Sequence, residues 1–129
     1  MEVLSSRILL AVSDFARSRA FYEATLGLRI YREYGAGGVV TGVVYFLGGG
    51  FLELTSGGAA APSESVRVWL QLADVMREAA RLAAAGVVIR KPAELMPWGL
   101  IECWIEDPDG WELRLVEVPA DHPLRRRVQ

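Results

Sequence analysis

The sequence predicts an α+β fold made of two tandem βαβββ units, and three observations carry that prediction. An arginine stands seven residues before an aspartate twice, at Arg7 and Asp14 and again at Arg67 and Asp74, with apolar residues at alternate positions between them. A helix-period stretch follows each aspartate and stops at a glycine, Gly27 in the first half and Gly86 in the second. Three short alternating stretches then follow each glycine, separated by turn residues.

The elements follow in order. Arg7-Ile-Leu-Leu-Ala-Val-Ser is a strand ended by Asp14, whose side chain can accept from the free backbone N–H groups of the next turn. Phe15, Ala16, Ala20, Phe21 and Leu26 make the apolar stripe of the first helix. Strands are expected over 28–34, 39–46 and 51–55, with Gly35 to Gly38 and Gly48 to Gly50 as turns. The run Gly48-Gly49-Gly50 is a hairpin turn rather than a phosphate cradle, because no helix and no Lys-Ser/Thr pair follow it. Residues 56–64 are a linker of small residues.

The second unit repeats the plan. A strand over 66–72 leads to Asp74, and Val75, Met76, Ala79, Ala80, Leu82 and Ala83 make the helix. Strands are expected over 87–90, 100–106 and 111–117. The last pair is joined by Asp107-Pro108-Asp109-Gly110, a hairpin signal in which Gly110 takes a positive φ. The units thus span about 5–55 and 65–117 of a single domain, and the tail, 118–129, has no periodicity.

Composition narrows the function. With 129 residues and a net charge of −2, the chain is one globular domain without a broad basic stripe, which disfavours nucleic acid as a partner. Arg125-Arg126-Arg127 reads as solvated charge on the tail. Cys103 is the only cysteine, so an intrachain disulfide and a cysteine-rich zinc site are excluded, and it reads as a small core residue rather than a nucleophile. The N-terminus lacks a basic segment followed by a long apolar run, and no stretch is long enough to span a bilayer. A cytoplasmic protein with no membrane partner is expected.

The ordered set Val12-Ser-Asp14, Phe21-Tyr22, Leu26-Gly27-Leu28, Leu52-Glu53-Leu54, Gly86-Val87, Pro97-Trp98-Gly99 and Asp107-Pro-Asp-Gly-Trp-Glu-Leu-Arg-Leu-Val-Glu117 resembles the vicinal-oxygen-chelate superfamily, the glyoxalase/bleomycin-resistance/dioxygenase family. The resemblance implies a curved mixed sheet around a central cleft, with helices outside. It also implies four ligand positions for a divalent ion, and these fall on Arg7, Glu53, Arg67 and Arg114. Only Glu53 can ligate a metal, since a guanidinium has no lone pair to offer. The family's usual metal centre is therefore expected to be missing and no cofactor is expected. His122, the only histidine, reads as a solvated tail residue.

Strand alternation assigns the cleft lining. Val66, Val68, Leu70 and Leu72 are expected under the helices, which turns Arg67, Trp69 and Gln71 toward the cleft. Trp111, Leu113 and Leu115 read as core against Glu112 and Arg114 on the cleft side, and Ile101, Cys103 and Ile105 against Glu102 and Trp104. Phe51, Glu53 and Thr55 join this face with Arg7, Leu9 and Ala11, and Trp98 lies on a loop able to close over the mouth. Two readings of the charges stand side by side. The arginines pair with Glu53, Glu102 and Glu112 into an ion network, or they recognise a ligand.

The expected function is metal-independent binding of a small, aromatic or anionic molecule, as in the family's drug-sequestering members, by a homodimer. The alternative is a metal-dependent glyoxalase-type lyase or extradiol-type dioxygenase, which needs an ion on Glu53 with further partners. A third reading is acid–base chemistry by Glu53 or Glu102 with a pKa raised by an apolar setting.

Overall fold

A computed structural model describes residues 1–126, so Arg127 of the basic run lies outside the described residues. The chain divides into two compact units between Ala61 and Pro62, inside the expected linker.

In the first unit β1 (Arg7–Ala11) leads to α1 (Phe15–Arg19), a π-helical turn (Ala20–Thr25), β2 (Ile30–Ala36), β3 (Val39–Leu47) and β4 (Gly50–Thr55). The sheet order is β1-β4-β3-β2, with β1 parallel to β4 and the other pairs antiparallel. The second unit runs β5 (Arg67–Gln71), α2 (Val75–Ala84), β6 (Ile89–Leu95), β7 (Ile101–Glu106), β8 (Glu112–Glu117), in the matching order β5-β8-β7-β6. In each unit the first strand pairs with the last, which is the βαβββ arrangement expected from the repeat.

The local signals act as the sequence suggests. Asp14 Oδ1 accepts from Arg17 N at 3.1 Å, and Asp74 Oδ1 from Arg77 N at 3.0 Å, so each aspartate caps its helix. Gly27 and Gly86 take φ of 79° and 83° where the helices stop, a conformation that a side chain would strain. Asp107 Oδ1 accepts from Asp109 N and Trp111 N at 3.0 and 2.9 Å, which fixes the turn before β8.

Alternation sorts most residues as expected, but Val66, expected under the helices, lies before β5 and is 54% exposed. Leu10, Val43, Tyr45, Leu52 and Leu54 are buried on the helix side of the first sheet, with Phe21 and Tyr22 from the helical segment. Cys103, Ile105, Leu113 and Leu115 fill the same place in the second, where α2 packs on β6, β7 and β8 and brings Leu82. Burial raises the Cys103 thiol pKa, in keeping with a core residue.

Several boundaries differ from expectation. The first helix switches to π-helical hydrogen bonding after Arg19. β6 starts later and runs further than expected, through Pro92, and pays in lost pairing: its register against β7 slips between Lys91 and Glu94. β8 starts at Glu112, and Trp111 belongs to the turn. The tail is not wholly irregular, because Pro123–Arg126 form a short helix, α3. No helix among the described residues is long and apolar enough to cross a membrane.

Candidate functional site

On the first sheet, the face away from the helix carries Arg7, Phe51 and Glu53. The parallel register sets Arg7 beside Phe51 and Leu9 beside Glu53. Arg7 Nη1 lies 2.7 Å from Glu53 Oε1, and its guanidinium sits 5.5 Å from the Phe51 ring centre. Tyr34 OH donates to Glu53 Oε2 at 2.5 Å. The tyrosine reaches there because it faces Gly42 across β2 and β3, where any Cβ would overlap its ring. Phe51 also packs with Tyr31 and Phe46, at ring-centre distances of 5.0 and 5.8 Å.

The hydrogen bonds from Tyr34 and Arg7 hold the Glu53 carboxyl below its ordinary pKa, while Tyr34 is pushed up by the same bond. This corrects the expectation that Glu53 has a raised pKa. Two donors stabilise its charged form, so it is a weak base.

The second sheet is richer. Three rows cross its open face in register. The first joins Arg67 on β5, Glu112 on β8 and Glu106 on β7; the second joins Trp69, Arg114 and Trp104, with Lys91 on β6; the third joins Gln71, Val116 and Glu102, with Glu94. In the middle row the Arg114 guanidinium lies 3.7 Å from the Trp104 ring centre, and Lys91 Nζ is 5.4 Å from it. Trp69, beside Arg114, is 49% exposed.

Glu112, only 8% exposed, is the hub of the charges. Its Oε2 is 2.7 Å from Arg114 Nε and 3.1 Å from Arg67 Nε, and its Oε1 is 3.3 Å from Arg90 Nη1. Burial alone would raise its pKa. The bond and charge of Arg114, aided by Arg90 and Arg67, outweigh burial and hold it below the ordinary value.

Glu102 does not pair with an arginine as the ion-network reading of the charges had it. It is 3% exposed, and its two oxygens accept from two indoles: Trp98 Nε1 at 2.6 Å and Trp104 Nε1 at 2.8 Å. An indole N–H suits this place because it brings a donor without a second charge to desolvate. Trp98 lies in the turn between β6 and β7, as expected, and is 52% exposed. Its carbonyl is 3.1 Å from His122 Nε2, while His122 Nδ1 accepts from Leu124 N at 3.2 Å. His122 is therefore clasped to this turn and not simply solvated, because the chain doubles back at Pro119 and His122. Arg125 likewise donates to the Val118 carbonyl at 3.2 Å, so it too is more than free surface charge.

Within each unit, then, Arg7 meets Glu53, and Arg67 and Arg114 meet over Glu112. Trp104 joins Arg114 to Glu102 and Trp98, and Gln71 is exposed at the end of β5. Sequence reasoning missed Tyr34, Arg90 and Lys91. A signal existed for Lys91 and Arg90 in the basic pair before Pro92, but the expected strand over 87–90 stopped short of Lys91.

The four positions that would hold a divalent ion do not fit one. Three are guanidinium groups, and the carboxylate of Glu53 is engaged by Arg7 and Tyr34. Among the described residues, no group of three or more His, Cys, Asp or Glu side chains is gathered so as to hold a metal.

Comparison with known proteins places this arrangement. No curated protein matches the chain by sequence. Among solved structures it is similar to TioX from Micromonospora sp. ML1, with 22% sequence identity, a TM-score of 0.74, and coverage of 89% of this chain and 98% of that one. It is similar to a glyoxalase-related enzyme from Fulvimarina pelagi, with 20% identity, a TM-score of 0.74, and coverage of 93% and 91%. A member of the Glyoxalase/bleomycin resistance protein/dioxygenase superfamily from Sphaerobacter thermophilus DSM 20745 gives 25% identity, a TM-score of 0.70, and coverage of 90% and 98%. Such a fold supports small-molecule binding or enzymatic roles in general. The family model for Glyoxalase/Bleomycin resistance protein/Dioxygenase matches residues 5–115, and with the duplicated βαβββ architecture this means that the chain belongs to that superfamily.

Proposed function

We propose that the protein is a metal-independent binder of a small, flat aromatic molecule carrying an anionic group. The observation that carries the reading is the middle row of the second sheet, where half-exposed Trp69 stands beside an Arg114–Trp104 stack. A conjugated ring can lie on an indole or on the face of a guanidinium, and the guanidinium contact strengthens when the ring is electron-rich or the ligand is anionic. Trp98, fastened to Glu102 through its N–H, offers a second half-exposed indole of the same unit.

The metal-dependent lyase or dioxygenase reading asks for donors that Arg7, Arg67 and Arg114 do not supply. The family's bleomycin-resistance branch supports sequestration of a toxic aromatic compound, such as an antibiotic, as the biological role. The proposal includes a cytoplasmic homodimer without nucleic-acid or membrane partners.

Anthracene-2-carboxylate, whose absorption overlaps indole emission, is a direct probe. It is expected to quench tryptophan fluorescence saturably, and Trp69→Ala is expected to weaken binding by roughly tenfold or more, as for a central aromatic contact. Unsaturable quenching, or equal affinity in Trp69→Ala, would contradict the reading.

A further inference from the structure

We infer that Arg67 and Arg114 together form a seat for a carboxylate, so that the anionic group of the ligand is a carboxylate held beside the Trp69 indole. This inference rests on the ring-binding reading above and specifies its substrate class. Both arginines bring Nε to one and the same oxygen, Glu112 Oε2: Arg114 donates a hydrogen bond at 2.7 Å and Arg67 forms an ion pair at 3.1 Å. Held that way, their terminal N–H₂ groups have no protein partner among the described residues. Glu112 is buried beneath them, and Arg90 braces its other oxygen while also bonding Glu106 at 2.7 Å.

Over the whole face Arg67, Lys91, Arg90 and Arg114 are matched by Glu94, Glu102, Glu106 and Glu112, but locally two guanidiniums share the single oxygen Glu112 Oε2. Because Glu112 already holds the Arg114 guanidinium by a hydrogen bond and draws that of Arg67 by charge, less side-chain freedom is lost when a ligand arrives. A planar carboxylate also matches the fork of N–H donors that a guanidinium presents.

Spacing ties the seat to the ring platform. Arg67 and Trp69 are two residues apart on β5 and share its open face, a separation of about 7 Å along the strand. That is the reach of a fused ring and a carboxylate attached directly to it.

The test compares anthracene-2-carboxylate with anthracene-2-carboxamide, which has the same ring and no charge. The acid is expected to bind at least about tenfold tighter, the range of a hydrogen bond to a charged group. Arg67→Gln and Arg114→Gln should each close most of that gap, and Arg77→Gln on α2 should leave it intact. Arg114→Gln also uncovers Trp104, so Arg67→Lys serves as the cleaner variant: it keeps the charge, loses the fork, and should lose most of the gap with the fold unchanged by circular dichroism. Equal binding of acid and amide to the wild-type protein would overturn the carboxylate seat and leave the ring platform standing. No binding of either compound would overturn both. Displacement of the acid by inorganic phosphate as readily as by benzoate would overturn the choice of carboxylate.

Discussion

Glu112→Ala is expected to lower the unfolding free energy by about 3 kcal/mol, the low end for breaking a buried ion pair by removing one partner. The carboxylate is almost fully buried and is shared by Arg67, Arg90 and Arg114. Removing it leaves like charges facing one another with no anion between them, and it empties a buried place in the first row. The partial exposure of the arginines lets water compensate some of the loss, which is why the low end applies. Urea unfolding followed by tryptophan fluorescence measures the change. A loss under about 0.5 kcal/mol, the size of an ordinary surface substitution, would show that the cluster is decorative.

The same carboxylate contributes to the acid limb of the stability curve. Its folded pKa lies below the ordinary 4.5, as do those of Glu23, held down chiefly by Arg19, and Glu53, held down chiefly by Tyr34. A depressed folded pKa gives stability that is fully present above the unfolded value and is lost as pH falls through the folded one. The wild-type protein should therefore keep its stability from neutral pH down to about 5 and lose it progressively below that. Glu112→Ala should flatten this decline.

The second large effect is expected at Glu102. Glu102→Leu removes the acceptor for two indole N–H groups at once, and it should cost about 2 kcal/mol, since each bond is to a charged group and Trp104 is partly buried. Trp98 is half exposed and can turn its N–H to water, so the loss falls mainly on Trp104. Glu102→Gln keeps one carbonyl oxygen and should recover part of the stability. Tryptophan emission gives a second readout: freeing Trp98 into solvent should shift it to longer wavelength in Glu102→Leu. An unchanged spectrum together with unchanged stability would contradict the two-indole clamp.

Much of this arrangement was legible in the sequence because it depends on local signals. Asp14 and Asp74 cap helices, Gly27 and Gly86 end them, and alternation in β4, β5, β7 and β8 assigns faces by parity alone. The partners of the charged groups were less legible. Arg7 with Glu53, and Arg67 and Arg114 with Glu112, follow once neighbouring strands are in register. Tyr34 reaches Glu53 only because β2 places it over Gly42, a non-local pairing that no spacing announces. Arg90 joins Glu112 from β6, which continues through Pro92 with a slipped register because an edge strand tolerates a proline. Glu102 finds an arginine in only one of the two readings of the charges, both of which rest on alternation placing them on one face. It found two indoles instead, one of them on a turn that alternation does not describe.

The central claim is that guanidinium groups have replaced the metal centre and that the aromatic row binds ligand without one. The most direct test titrates anthracene-2-carboxylate into chelator-treated protein, then repeats the titration with added Ni, Zn, Mn or Fe(II). The account predicts the same saturable affinity in every case and no stoichiometric metal by elemental analysis. Binding that requires an added ion, or one ion per chain retained by the purified protein, would contradict it.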